Sequence, residues 1–390
     1  MKLLFICHLT QHTLDDTVRA MRYLGRELAM RGHEVDYFFR RPQDSDEQPE
    51  PISLLEWPMR IAPLASRKCQ QKQYDIVLAT GSSGWCLSSF RDWLLPPETR
   101  VVSWYLHDDP AMGKPVEPLL EDLPDAAPDL TIPPIPKDCL LRQLNVWTVE
   151  QALKTQDGCF LTGLEDVHHI RRKYPQYASK AMYQPRGVDA KFYSPQRLKQ
   201  KATPPSRLLL IGNNHPEKPI AQPVVEAFQQ ILKAHPQVTL TVAGDNQLPS
   251  PDELFADFPE PLKPALHSVR VQQEETLPDL YLQHDLFIQP HRTPAQPLAV
   301  LEAMASAMPA VVVQNPDFQE VVTHYESGLL VPPDNPQAMV ESVTHLLGNP
   351  TLCQAMGEAA FETVTRCYTW HQVCDIFEVN LTRILEQAFA

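Results

Sequence analysis

Short apolar runs alternate with amphipathic stretches along the first half of the chain. LLFIC, closing the segment 2–7, is unbroken in apolar character and predicts a strand buried on both faces. The amphipathic stretch 13–31 follows, with Thr13 and Asp16 at capping-box spacing and Gly32 as its stop, and predicts a helix. VDYFF at 35–39 predicts a second strand and DIVLAT at 75–80 a third. A GSSG turn at 81–84, a helix through Trp93 and the strand RVVSWYL at 100–106 come next. This β-α-β alternation predicts a parallel sheet covered by helices, a fold class that gathers ligands at the carboxyl ends of its strands.

The pattern breaks at 110–136, where eight prolines forbid continuous helix. That stretch reads as a surface excursion or as a lid over a cleft. After a polar stretch at 196–206 a second alternating series begins. Strands are expected at 207–212, 238–244, 285–290, 309–313 and 329–331, with helices at 223–234, 277–283 and 298–307 and two more at the C-terminus. Two strand-helix series in tandem, divided near residue 200, make two Rossmann-like domains.

Composition narrows the function classes. A length of 390 residues is enough for two domains with cores of their own. The 39 prolines against 13 glycines leave little room for glycine-rich phosphate loops. Residues 1–200 carry 25 Lys and Arg against 26 Asp and Glu, whereas residues 201–390 carry 9 against 22. No Lys or Arg falls between Arg292 and Arg366. Nucleic-acid binding through the second half is therefore excluded as an expectation, since phosphate contacts need clustered cations. The eight cysteines are scattered without a CxxC pair, which points to free thiols, and His168-His169 lacks partners at metal-ligand spacing. No apolar run reaches the length of about 20 residues needed to span a bilayer. The start MKLLFICHLTQH reads as a first strand rather than a secretory signal, so a soluble cytoplasmic protein is expected.

Six pieces in register then resemble one family, the retaining GT-B glycosyltransferases of the family 4 type. PRGVDAKFYSP (185–195) resembles the family's interdomain signature, and IGNNHPEKP (211–219) its first phosphate loop. VTLTVAGD, LYLQHDLFIQP, LEAMASAMPAVVV and EVVTHYESGLLVPP follow in the family's order. The resemblance implies a GT-B fold, two Rossmann-like domains facing across a cleft, with an acceptor-side domain at 1–198 and a nucleotide-sugar domain at 199–370. A terminal helix at 371–390 would cross back to the first domain.

Carried over position by position, the resemblance implies a site. Lys218 matches the phosphate-binding lysine, and Asn213 stands where the family has an arginine. Glu302 matches the second glutamate of the E-x7-E motif, which accepts hydrogen bonds from ribose, and Pro294 stands where the first glutamate belongs. The amides of Leu298 and Ala299 would face the diphosphate, with Arg292 the nearest cation; a solvated Arg292 is the other reading. His107, after the strand at 100–106, would contact the transferred sugar, and Glu320 would lie near the donor; a loop histidine and a helix-start carboxylate are the bland alternatives. The loop after the first strand lacks the family's glycine pair, leaving His8, Thr10 or His12 to reach the cleft. Arg19, Arg22, Arg26 and Arg31 form a stripe on the first helix, read as a solvated face or as a surface for anionic lipid.

The resulting expectation is a metal-independent, retaining transfer from a UDP- or GDP-sugar to an unidentified glycosyl acceptor, with no resident cofactor. Lys218 and backbone amides would hold the diphosphate, Glu302 the ribose and His107 the sugar. At most a peripheral membrane association, at the inner face, is expected. The alternative is a degenerate relative that serves as a binding or scaffold partner, motivated by Pro294, Asn213 and the missing glycine pair.

Overall fold

A computed structural model describes residues 1–10, 16–40, 53–105, 137–192, 205–211, 222–244, 248–290, 298–333 and 335–387. The chain divides into two compact units. The first comprises Met1–Thr13, Leu28–Gln184 and Phe377–Ala390; the second comprises Leu14–Glu27 and Pro185–Ile376. The interdomain-like signature at 185–195 thus goes with the second unit, as do the first turns of the first helix.

In the first unit the strands are β1 (Lys2–Thr10), β2 (Glu34–Arg40), β3 (Ile76–Thr80), β4 (Arg100–Tyr105), β5 (Gly158–Leu161) and β6 (Ala181–Tyr183). They form one parallel sheet in the order β2-β1-β3-β4-β5-β6. The helices in this part of the chain are α1 (Asp16–Met30), α2 (Ser53–Lys72), α3 (Trp85–Ser89), α4 (Arg91–Leu94), α5 (Lys137–Thr155) and α6 (Leu164–Lys173). Successive residues of β1 point to opposite faces, and Leu3, Leu4, Phe5 and Ile6 are all buried. Leu4 and Ile6 pack with Val77, Ala79, Val101 and the α2 residues Ile61, Ala62 and Ala65.

Three features depart from the sequence expectation. Helix α2 was not expected, because Pro58 and Pro63 lie inside it and each removes a helical N–H. Its apolar face outweighs that cost by burying Ile61, Ala62, Ala65 and Cys69. The single helix expected through Trp93 is broken into a 3-10 turn at Gly81–Gly84 and the short α3 and α4, interrupted at Phe90. Strands β5 and β6 hold only four and three residues, too few to show a period.

In the second unit β7 (Arg207–Ile211), β8 (Thr239–Gly244), β9 (Leu266–Arg270), β10 (Leu286–Gln289), β11 (Ala310–Val313) and β12 (Gly328–Val331) form a second parallel sheet, ordered β12-β11-β10-β7-β8-β9. Its helices are α7 (Gln222–Ala234), α8 (Pro251–Leu254), α9 (Leu277–Leu282), α10 (Leu298–Ala305), α11 (Pro316–Val321), α12 (Pro336–Leu347) and α13 (Pro350–Cys367). Leu208 and Leu210 face a core shared with Phe228, Val340 and Val343, while Leu209 faces one shared with Leu301, Met304 and Phe318. Edge strand β9 was not expected; only Leu266 of its five residues is buried, so it lacks the apolar run that marks its neighbours. Asp285 ties the start of β10 to β7 by accepting from the Ser206 and Arg207 amides at 3.0 Å and from the Arg207 guanidinium at 2.8 and 3.1 Å.

The last helix, α14 (Trp370–Gln387), starts in the second unit and ends in the first, as the resemblance implied. Within the first unit its Phe377 meets Phe5, Trp104 and Phe160 at ring separations of 6.5, 6.3 and 5.4 Å. Asn380 donates to the Tyr183 carbonyl at 2.9 Å. No helix among the described residues is long and apolar enough to cross a membrane. The proline-rich stretch 110–136 lies outside the described residues.

Candidate functional site

Helix α10 is built from strong helix formers, LAVLEAMA, and every residue except Ala299 is buried. It ends where Ala307 adopts a left-handed conformation, φ 51°, and the Met308 amide donates back to the Ala303 carbonyl at 3.0 Å. This fixed helix turns Glu302 into a buried position, 3% exposed. An ionised carboxylate there needs partners. Arg19 of α1 supplies one, its Nη2 donating to Glu302 Oε1, and Tyr281 of α9 supplies the other, its hydroxyl donating to Oε2 at 3.0 Å.

Arg19 is the hub of a larger cluster inside the second unit. Its Nη1 donates to Asp16 at 3.2 Å and its Nε lies 3.1 Å from Glu274. Glu274 also accepts from the Tyr23 hydroxyl and, at 2.8 Å, from Lys191. Lys191 lies in the signature segment, beside Asp189, whose carboxylate accepts the Lys191 amide at 2.9 Å. Arg186, 1% exposed, brings Nη1 to 3.6 Å from Asp16. Gly187 is required where it stands, because a Cβ there would lie 2.6 Å from Cδ2 of Trp370 and 3.0 Å from its Cα. A small pocket is lined by Arg19, Tyr23, Arg186, Leu298, Glu302 and Trp370, among others.

The electrostatics follow from burial and pairing. Burial pushes Glu302 above the usual carboxylate range, and the charge and hydrogen bond of Arg19 and the bond from Tyr281 pull it back. Burial acts equally against Glu274, yet Arg19, Lys191 and Tyr23 hold it below that range. Burial opposes the charge on Arg19, and its three carboxylates outweigh that, holding it well above its ordinary value. Burial and the bond to Glu302 push the Tyr281 phenol far up, so it acts as a donor.

Of the sequence-expected site residues, Leu298 and Glu302 come together at this pocket. Ala299 follows Leu298 on α10 but is not among the pocket-lining residues. Glu320 lies apart, on α11, and sits near the end of that six-residue helix rather than at its start. Its own carbonyl accepts from the Tyr368 hydroxyl at 3.2 Å. His107, Asn213, Lys218, Arg292 and Pro294 lie outside the described residues, as does His12. The arginine stripe on α1 is corrected: Arg22 and Arg26 are exposed, but Arg19 is 7% exposed and enclosed by carboxylates, so it belongs to neither a solvated nor a lipid-facing surface. Sequence reasoning missed Arg19, Arg186, Tyr23, Glu274 and Tyr281. Among the described residues no group of three or more His, Cys, Asp or Glu is arranged to hold a metal ion.

Residues 196–363 match the family described as glycosyl transferases group 1. An exopolysaccharide phosphotransferase of Streptomyces coelicolor is 32% identical over 151 residues, which are 36% of this chain and 15% of that protein. The chain spans less than half the length of the curated relatives it matches. Among solved structures, sucrose-phosphate synthase from Thermosynechococcus elongatus is similar with a TM-score of 0.74 at 17% identity, over 100% of this chain and 99% of that one. Anabaena HepE, solved with UDP-glucose, gives a TM-score of 0.67 at 14% identity, covering 98% of this chain and 100% of that one. The chain therefore has the GT-B fold, and its second unit carries the match to the group 1 glycosyl transferases.

Proposed function

We propose that the protein is a glycosyltransferase of the retaining, family 4 type that takes its sugar from a nucleoside-diphosphate sugar without a metal ion. The observation that carries this is Glu302, a buried carboxylate lining a pocket beside the first residue of α10, in the unit that matches the glycosyl transferases. A ribose diol donates two hydrogen bonds, and a fixed, desolvated carboxylate is a strong acceptor for them. The amides of Leu298 and Ala299, at the helix N-terminus, supply partial positive charge for a diphosphate. Lys218, Asn213 and Arg292 would add donors to the diphosphate, with Glu320 near the donor sugar. His107 would contact the transferred sugar. The acceptor hydroxyl gives its proton to the leaving phosphate as the new glycosidic bond forms on the face that the nucleotide leaves. UDP-glucose is named with Anabaena HepE, which supports a UDP-sugar or a relative of it as donor.

A second reading, a degenerate relative that binds a partner instead of turning over, has one observation in its favour. Arg19 and Tyr281 already bond both oxygens of Glu302, so this acceptor is not idle in the unliganded protein. Calorimetric titration with UDP and GDP separates the readings. Micromolar to sub-millimolar binding, lost in Glu302→Ala, together with slow hydrolysis of one nucleotide sugar in a panel, is expected of the transferase. No heat at millimolar UDP, GDP and ADP would end the transferase reading.

A further inference from the structure

We propose that Arg19 and Tyr281 are positioning residues that hold the Glu302 carboxylate as an acceptor for the ribose diol of a bound nucleotide. This rests on the nucleotide-sugar reading above. The geometry is that of a buried carboxylate bonded on each oxygen and lining a pocket. A carboxylate has about four acceptor sites. Among the described residues Arg19 takes one on Oε1 and Tyr281 one on Oε2, so with respect to these residues each oxygen retains a further acceptor site. Glu302 and Arg19 both line the pocket, while Tyr281 is not among its lining residues. The phenol thus bonds the carboxylate without lining the pocket.

Among the groups facing Glu302, Arg19 is the one that most favours its charged form against burial. Asp16, on α1, bears a like charge and works against ionisation of Glu302. Glu274 adds another carboxylate to the cluster and is itself matched by Arg19, Lys191 and Tyr23. Arg186 approaches Asp16 rather than Glu302. Without the Arg19 guanidinium, Glu302 would face burial and Asp16 with only the phenol in support. Its carboxyl would then be pushed further above the usual range. A protonated acid offers one fewer acceptor site and competes with ribose as a donor.

The brace also comes from an unexpected part of the chain. Arg19 lies outside the matched stretch 196–363 and 283 residues before Glu302. The acceptor's chemistry therefore depends on a helix that the C-terminal domain sequence does not contain.

The test is calorimetric titration of the full chain with UDP and GDP from pH 6 to 8, comparing wild type with Arg19→Gln, Tyr281→Phe and Glu302→Gln. Wild type is expected to change less in affinity across the range than the Arg19 variant. Arg19→Gln is expected to bind about tenfold more weakly at pH 8 and to weaken further on acidification more steeply than wild type, because its carboxyl is pushed up without the guanidinium. Glu302→Gln should be weak at every pH, with no slope. Should Arg19→Gln fail to fold, Tyr281→Phe decides, since it deletes one hydroxyl and leaves the ring packed; it should weaken on acidification in the same direction as Arg19→Gln but less steeply. If the Arg19 and Tyr281 variants keep the wild-type pH profile while Glu302→Gln weakens binding, the positioning role is refuted and the nucleotide reading survives. If Glu302→Gln binds as wild type does, the acceptor role falls and the positioning role with it. If wild type binds neither nucleotide, the functional reading itself fails.

Discussion

Gly357→Ala sets two physical effects against each other and gives a clear sign. Gly357 is an interior residue of α13, where alanine is favoured over glycine by about 1 kcal/mol in helix propensity. On that ground alone the substitution stabilises. The tertiary structure reverses it. A Cβ at 357 would lie 2.3 Å from the Ala307 carbonyl oxygen, 3.1 Å from the Ala307 carbonyl carbon and 3.3 Å from Cδ of Pro309. Ordinary contact begins near 3.4 Å, so α13 must retreat by about 1 Å. The obstacle is main chain, and it belongs to Ala307, whose left-handed conformation closes α10. It cannot swing aside as a side-chain tip would. Overpacking of this kind costs about 1–3 kcal/mol, and rigid backbone puts it at or above the upper end, so the net effect is a loss of about 2 kcal/mol. In a unit of this size that lowers the transition by about 4–8 °C. Because α10 carries Glu302, nucleotide affinity should fall as well. Differential scanning calorimetry of wild type and variant, each with and without UDP, reads both effects. An unchanged or raised transition temperature would mean that α13 does not press on the Ala307 main chain, and the close helix contact described here would be wrong.

Further outcomes follow from other contacts. Asp285→Asn should destabilise the second unit by about 2 kcal/mol, since it strips charged hydrogen bonds from a buried carboxylate whose partner Arg207 is part-exposed. Although burial raises Asp285, Arg207 and the two amides lower it overall, so its contribution is present above the usual carboxylate range and lost as pH falls through its folded value. Denaturant melts from pH 5 down to pH 2 should show wild type losing stability that Asp285→Asn never had. Glu378, raised by burial but brought lower by His33 and Arg31, has the same sign: Glu378→Gln should remove less than about 1 kcal/mol at pH 6 and flatten the acid limb of the first unit. Among the seven cysteines whose side chains are described, Cys367 is exposed and the rest are buried, and burial pushes the Cys69 thiol up to about 11. Native thiol titration at pH 8 should therefore label Cys367 rapidly and Cys69 only on unfolding; fast labelling of Cys69 in the native protein would contradict its burial on the core face of α2.

Most strands that were legible in the sequence are buried on both faces, because burial on both sides leaves an apolar run and a run is a local signal; β2 was legible from its aromatic run although it is only part-buried. KLLFIC, DIVLAT, RLLLIG and DLFIQP became β1, β3, β7 and β10. Helix α10 was equally legible, since LEAMA favours helix whatever surrounds it, and Glu302 could be singled out within it. Edge strand β9, the short strands β5 and β6 and the proline-bearing α2 were not legible, because their stability comes from what covers them. The same reason explains the arginine stripe on α1. Periodicity places Arg19 on a helix face but says nothing of what packs there, and a buried guanidinium reads locally like a solvated one. Only the tertiary structure brings Asp16, Glu274 and Glu302 around it. Local sequence fixes which residues can be ionised, whereas the long-range fold decides which charges meet away from water, where pairing governs their chemistry.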